Sequence, residues 1–363
     1  MERVILHIDL DYFYAACEIR RDGSLAIKPV VICMFSGRSQ DSGAVATCNY
    51  LARDLGISSG MPISEAKRLG AGKAVFLPAD MEYYRSTSER IMELLENHAD
   101  SFEQVSVDEA YLDVSRRCQS LGAAVELGRQ IKLEVQESEG LTCSIGVAPN
   151  KLLAKIAAGL HKPDGLAKIG VEAVQTVVWP MPAGKLFSVG PKTEEELERL
   201  GLKTVGQLAA ADIGILTAAF GDNRARQLHG FASGIDDREV AQTTRQQLAR
   251  IATLKSNTRD VAKLDEFIDY LAGLLEEKLR KDGRKFRNVA IIAIATDLRL
   301  YTRSKTLEQA IADLETAKLA AKQLMRAFLE EHPKVTLRRA GIRVSGFVEE
   351  QKVAGQKSLG DFR

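Results

Sequence analysis

The sequence predicts an α+β protein of more than one domain, and three observations carry that expectation. Apolar, β-favouring runs near the N-terminus give way to segments of helical period. A helical stretch punctuated by Gly and Pro follows, and the last third reads in order as strand, helix, strand, strand, helix, strand. At 363 residues the chain is long enough for two or more domains with cores of their own.

The first run, Val4-Ile5-Leu6-His7-Ile8-Asp9-Leu10, is rich in β-branched and aliphatic residues and predicts a largely buried strand with Asp9 near its C-terminal end. Asp11 then predicts the N-cap of a helix through Tyr12-Phe13-Tyr14-Ala15-Ala16-Cys17-Glu18, where the period turns helical. Further on, Phe102 to Val107 predicts a strand, Asp108-Glu109 a tight turn, and Ala110 to Val114 the returning strand. Folding can therefore gather Asp9, Asp108 and Glu109 at one sheet edge. Carboxylates that close raise one another's pKa unless cations lie between them, and a set of hard oxygen ligands suits Mg²⁺. Taken singly, each cluster also fits an ordinary strand end, cap or turn.

The helical stretch contains Lys185-Leu186-Phe187-Ser188-Val189-Gly190-Pro191-Lys192-Thr193, a helix from Glu194 to Leu200 with Gly201 as its C-cap, and Lys203-Thr204-Val205-Gly206-Gln207-Leu208. This pattern resembles a helix-hairpin-helix, in which Gly190 allows close approach and the N–H groups at the next helix start can receive a phosphate. A Val-Gly-Pro-Lys turn is equally a good plain helix connector. In the last third, Arg250 to Asn257, Arg287 to Arg299, Thr302 to Leu307 and Val335 to Phe347 predict strands, while Lys263 to Asp282 and Ile311 to Glu331 predict helices. The order is βαββαβ. Net charge is +1 overall, but Ala241 to Ser345 holds 21 Lys plus Arg against 13 Asp plus Glu, a net of +8 that leaves −7 elsewhere. A polyanion would be held mainly by this basic third. Five cysteines occur with no C-x-x-C pair, so neither a zinc ribbon nor a disulfide framework is indicated, and reduced thiols in a cytoplasmic setting are expected. No signal peptide is expected before the first strand, and no apolar stretch approaches membrane-spanning length.

Several segments together resemble one family. Asp9-Leu10-Asp11-Tyr12-Phe13-Tyr14, Ser42-Gly43-Ala44-Val45-Ala46-Thr47, Asn49-Tyr50-x-Ala52-Arg53, Ser106-x-Asp108-Glu109-Ala110-Tyr111-Leu112-Asp113 and Ser144-Ile145-Gly146-Val147-Ala148-x-Asn150-Lys151 resemble the successive signatures of Y-family translesion DNA polymerases, in the DinB (DNA polymerase IV) branch of archaeal type. The order holds from residue 3 to about residue 347. The resemblance implies a right-hand polymerase with a ferredoxin-like palm, small fingers, a helical thumb with a helix-hairpin-helix, and a βαββαβ little finger. Its boundaries would be 1–10 and 78–165 for the palm, 11–77 for the fingers, 166–235 for the thumb, 236–246 for a linker and 247–347 for the little finger, with 348–363 a mobile tail.

Carried onto this chain, the family's chemistry is template-directed nucleotidyl transfer of low fidelity, without proofreading and with bypass of damaged bases. Asp9 and Asp108 would bridge two Mg²⁺ ions (Mn²⁺ substituting), Glu109 would complete the site of the ion activating the primer 3′-hydroxyl, and the Leu10 carbonyl would help hold the other. Phe13, Thr47, Tyr50, Arg53 and Lys162 would meet the incoming dNTP, and the Tyr14 ring would clash with a ribose 2′-hydroxyl. Primer-template DNA would be gripped through Gly190, Lys192, Lys255, Arg259, Arg299, Arg303, Lys305, Arg338, Arg339 and Arg343, contacts that position a duplex without reading its sequence. The tail Gln356-Lys357-Ser358-Leu359-Gly360-Asp361-Phe362-Arg363 resembles a peptide for sliding clamps of PCNA type, with Gln356, Leu359 and Phe362 as anchors and Arg363 where a second aromatic is usual. A monomer is expected. A palm-type nucleotidyl cyclase and a non-catalytic DNA-binding adaptor are the rival classes; the basic βαββαβ module argues against the first, and the full carboxylate set against the second.

Overall fold

The computed structural model describes residues 3–242 and 244–348. Its contacts divide into two compact units: residues up to 34 with 44 to 243, and residues 35–43 with those from 244 onward.

The elements of the first unit are Ile5–Leu10 (β1), Phe13–Arg21 (α1), Val30–Phe35 (β2), Gly43–Cys48 (β3), Tyr50–Arg53 (α2), Ile63–Leu69 (α3), Val75–Pro78 (β4), Met81–Asn97 (α4), Ser101–Gln104 (β5), Glu109–Asp113 (β6), Leu121–Glu139 (α5), Cys143–Ala148 (β7), Lys151–Leu160 (α6) and Leu166–Lys168 (β8). Four further helices follow: Pro191–Arg199 (α7), Val205–Ala209 (α8), Ile213–Phe220 (α9) and Asp222–Ala232 (α10). Five strands form one sheet in the order β5-β6-β1-β7-β8, with β1 antiparallel to both neighbours. The apolar run predicted at 4–10 is therefore a central strand covered on both sides. Leu6, Ile8 and Leu10 pack with Phe13, Ile91, Leu95, Ile131 and Val135, that is, against α1, α4 and α5. Ile5, on the other face, packs with Leu152, Leu153 and Ala157 of α6. The period of two then places His7 and Asp9 on the α6 side as well.

Gly146 of β7 fixes how closely α6 lies on that face. A methyl group there would overlap the Ala154 carbonyl oxygen and the Ala158 nitrogen. A second, three-stranded sheet (β3-β2-β4) packs with α2 and α3 around Val31, Cys33, Val45, Ala52, Ile57, Ile63 and Ala66. Helices α7 to α10 bury Leu197, Leu208, Leu216, Leu228 and Phe231 in the same core as α6. Thr204 and Gln207 close a reciprocal capping box at the start of α8.

The second unit contains Gln247–Thr258 (β9), Val261–Asp282 (α11), Lys285–Ala295 (β10), Leu300–Ile311 (β11), Leu314–Glu331 (α12) and Leu337–Val348 (β12). This is the predicted βαββαβ order, in an antiparallel sheet β11-β10-β12-β9. Leu264, Ile268, Leu271 and Leu275 of α11 and Ala321, Met325 and Phe328 of α12 cover Val289, Ile291, Ala293, Ala340, Ile342 and Val344. Two strands run longer than expected, β9 and β11, where cross-strand pairing extends past the apolar residues, whereas β10 ends at Ala295 and not Arg299, and β12 begins at Leu337 and not Val335. Among the described residues no helix is long and apolar enough to cross a membrane.

The tight seat of α6 gives the first test. Gly146→Ala should cost about 3 kcal/mol or more of unfolding free energy, because the obstacle is helix backbone and not a side chain that can turn away. Urea denaturation measures it, and a loss under about 1 kcal/mol would mean that α6 can shift outward.

Candidate active site

Asp9, at the end of β1, pairs in register with Glu109 of β6 on one side and Ser144 of β7 on the other. Asp108 ends the turn between β5 and β6, and its carbonyl accepts the Leu10 N–H at 2.9 Å. Ser106 shapes that turn: its hydroxyl donates to Asp108 Oδ1 at 2.5 Å and accepts from the backbone nitrogens of Asp108 (3.2 Å) and Glu109 (3.1 Å). The turn thus spans Val105 to Asp108, and Glu109 already belongs to the returning strand instead of to the turn as expected.

These carboxylates line one cavity of about 310 Å³. Tyr12, Phe13 and Tyr14 border it from the start of α1. Ala46 and Thr47 of β3, Arg53 of α2 and Ser59 approach from the small sheet, and Lys162 comes from the loop after α6. Of the residues expected to meet a nucleotide, Tyr50 alone stands outside the lining; it packs edge-on against Tyr12 with ring centres 5.6 Å apart and lies under the Arg53 guanidinium at 4.7 Å. Tyr14 stacks face to face on the fully buried Tyr84, centres 4.5 Å apart and planes 14° from parallel.

Two lysines meet the carboxylate charge. Lys162 Nζ lies 2.5 Å from Asp9 Oδ1, and Lys155 Nζ lies 2.8 Å from both oxygens of Glu109. Burial, aided by the charges of Glu109 and Asp108, nevertheless pushes Asp9 up to about 6 against the pull of Lys162. Lys155, bonded to both oxygens, holds Glu109 below the usual carboxylate range. The His7 ring makes no hydrogen bond to it, since its Nε2 stands 3.7 Å from Glu109 and neither ring nitrogen has a partner among the described residues. Burial pushes His7 itself down to about 4, so it is neutral at ordinary pH.

Among the described residues no three acidic, His or Cys side chains stand close enough to form a ready-made metal cage. The three carboxylates share a cavity, as expected, but two of them are drawn onto lysines. The donor set still fits a hard divalent cation. Every donor is an oxygen, the ligand type such a cation takes.

Asp11 is not the cap of α1: Tyr12 holds that position in the left-handed region (φ 36°), without a side-chain cap. The Asp11 carboxylate turns inward instead and accepts from Thr142, Ser144 and Asp164. Lys155, His7 and Ser59 were not singled out from the sequence. For Lys155 a signal existed, since it lies four residues past Lys151 and so on the same face of α6.

The DNA-contact candidates divide by sheet face. Arg339 and Arg343 alternate with the core residues Ala340, Ile342 and Val344, so they stand on the face that α11 and α12 leave open. Each has a buried Nε without a partner among the described residues. Lys255, one residue from the buried Leu254, is exposed on that face of β9. Arg303 lies opposite Ile291 on the helix-covered side and pairs with Glu331 at 2.5 Å, Lys305 lies opposite Val289 on that side, and Arg259 donates to the Leu329 carbonyl at 3.1 Å. Arg299 sits beside Asp297 in the turn before β11, and Arg338 lies at a register shift in β12. Gly190 caps α7, which begins at Pro191 and not at Glu194 as expected and so takes in Lys192; nothing lies within 4 Å of where a Gly190 side chain would begin, so no close approach explains the glycine. Gln356, Leu359 and Phe362 lie outside the described residues.

The lysine pairing is testable without any ligand. In Lys162→Met the Asp9 carboxyl should keep its proton to a pH above 6, since the group lowering its pKa is gone. Carboxyl ¹³C NMR reads this, and an unmoved titration would show that Lys162 does not balance Asp9 in solution.

Comparison with known proteins gives a consistent result. Residues 8–159 match the impB/mucB/samB family and residues 245–359 its C-terminal domain. The chain is 45% identical over 370 residues to the DNA polymerase IV of Methanosarcina acetivorans, covering all of both chains, and 37% identical to that of Saccharolobus solfataricus, covering 95% and 97%. Among solved structures, a Y-family chimera of Dbh and Dpo4 superposes with a TM-score of 0.89 at 33% identity, covering 95% of this chain and 99% of the other. An insertion ternary complex of Dbh DNA polymerase superposes at 0.69 with 32% identity and the same coverage. With its cavity, two-unit architecture and full-length similarity in agreement, the chain belongs to the Y family of low-fidelity translesion DNA polymerases, in the DNA polymerase IV (DinB) branch.

Proposed function

We propose that this chain extends primer 3′ ends on a template, using dNTPs and divalent cations, through the cavity at the end of the five-stranded sheet. The observation that carries the reading is the convergence of Asp9, Asp108 and Glu109 with Arg53, Lys162 and Tyr14 around one space of about 310 Å³. Asp9, Asp108, Glu109 and the Leu10 carbonyl would hold two Mg²⁺, with Mn²⁺ able to substitute. When bound, the cations supply a lowered pKa at the primer hydroxyl and charge neutralisation at the departing pyrophosphate.

The chain's own residues do the rest. Arg53 presents a planar fork suited to two phosphate oxygens, and Lys162 a compact point charge. Lys162 must leave Asp9 to reach a triphosphate, while Lys155 can stay on Glu109 and fix its orientation. Tyr14, held flat on Tyr84, cannot retreat into the core, so its ring limits the space beneath the sugar. Ala46 and Thr47 keep the wall of β3 low, consistent with weak selection on the nascent base pair. We place the palm on the five-stranded sheet, the fingers on the three-stranded sheet, the thumb on α7–α10 and the little finger on the βαββαβ unit. Arg339, Arg343 and Lys255 on its open face would hold phosphates. Gln356, Leu359 and Phe362 would dock a PCNA-type clamp.

Primer extension tests the core of this reading. Asp108→Ala should abolish insertion, by about 10³-fold or more, while primer-template affinity stays within about twofold; retained insertion would remove the metal assignment. In the same assay Tyr14→Ala should raise ribonucleotide use by about 10²-fold or more, and unchanged sugar selection would free Tyr14 of that role. For the tail, Phe362→Ala should remove stimulation by a PCNA-type clamp while leaving unaided extension intact, and persistent stimulation would refute the clamp assignment.

A further inference from the structure

Asp11 is almost fully buried, 1% exposed, and lies two residues beyond Asp9, yet it does not line the cavity. Its Oδ2 accepts the Asp164 backbone N–H at 2.8 Å and the Thr142 hydroxyl at 3.0 Å, and its Oδ1 accepts the Ser144 hydroxyl at 2.8 Å. Ser144 in turn accepts the Gly165 N–H at 3.2 Å. The Asp11 N–H donates to the Thr142 carbonyl at 3.0 Å, so main chain and side chain are both anchored at the start of β7. From the outer side, Lys132 Nζ reaches Asp164 Oδ1 at 2.6 Å and the Cys143 carbonyl at 3.1 Å. A side chain at Gly165 would meet the His161 carbonyl at 2.5 Å, so the segment His161–Gly165 closes tightly on itself at that glycine. This clamped segment carries Lys162, whose ammonium reaches 2.5 Å from Asp9.

We infer that Asp11 is a positioning residue for Lys162, and through it for the nucleotide triphosphate. A buried carboxylate accepting a backbone N–H makes a strong, directional bond, and losing it leaves Asp164 N–H without its inward partner. The loop then relaxes and the lysine loses its aim. The inference rests on the reading of Lys162 as a triphosphate contact.

Steady-state insertion kinetics of the full chain, with Lys162→Ala, Asp11→Ala and the double variant, test it. Lys162→Ala should raise KM for dNTP. Asp11→Ala should raise KM by about tenfold, the scale of a lost hydrogen bond to a charged group, with kcat within about twofold. In the Lys162→Ala background the Asp11 substitution should add nothing. Asp11→Asn can still accept from Asp164 N–H through its amide oxygen while Ser144 turns its hydroxyl to accept from the amide nitrogen, so it should recover most of the parent KM. If Asp11→Ala fails to fold, Ser144→Ala, which keeps the carboxylate but removes its link to Gly165, should show a smaller KM rise that also vanishes without Lys162. An unchanged KM in Lys162→Ala would overturn the triphosphate reading and this inference together. A KM rise in Lys162→Ala with additive effects in the double variant, or a fall in kcat at constant KM, would overturn the inference alone.

Discussion

Gathering three carboxylates at one end of a buried sheet is electrostatically expensive, and much of the first unit is arranged around that expense. Asp9 and Glu109 sit side by side because β1 and β6 are in register, and neither has full access to water. Without compensation, burial and mutual repulsion would push both carboxyls toward the protonated form. The fold answers with α6, whose close seat on Gly146 brings Lys155 to Glu109 and whose trailing loop brings Lys162 to Asp9. His7, buried and neutral, adds no charge of its own. The compensation is partial at Asp9, which burial keeps above the usual carboxylate range despite Lys162.

The second unit poses the opposite problem, an excess of positive charge. Its sheet resolves that excess by facing. Arg303 and Arg259 are tied to α12, through Glu331 and the Leu329 carbonyl, whereas Arg339 and Arg343 stand on the uncovered face with nitrogen atoms unpaired among the described residues. Composition alone could not have drawn this distinction, because all four are arginines on or beside strands.

Much of the architecture was legible in the sequence, for physical reasons that differ by element. The central strand β1 was readable because a strand covered on both faces is apolar at almost every position, and the βαββαβ order because α11 and α12 carry long amphipathic periods between β-branched runs. Asp9, Asp108, Glu109, Tyr14 and Lys162 came from motifs spaced along the chain, and the cavity brings all five together. What could not be read was pairing. Asp11 has the sequence context of a helix cap, but its acceptors are satisfied by Thr142, Ser144 and Asp164, more than 130 residues away, and no local pattern encodes that. The salt bridge of Lys155 with Glu109 and the stacking of Tyr14 on Tyr84 are equally tertiary facts.

The alternation along β1 has a consequence for quality control. Leu6, Ile8 and Leu10 face one layer of helices while Ile5, His7 and Asp9 face the other. Sliding this strand by one residue would bury Asp9 among aliphatic side chains and turn leucines toward the cavity. A misregistered sheet would therefore be unstable for the same reason that it would be inert, so the hydrophobic pattern that selects the fold also screens out well-folded but chemically dead molecules.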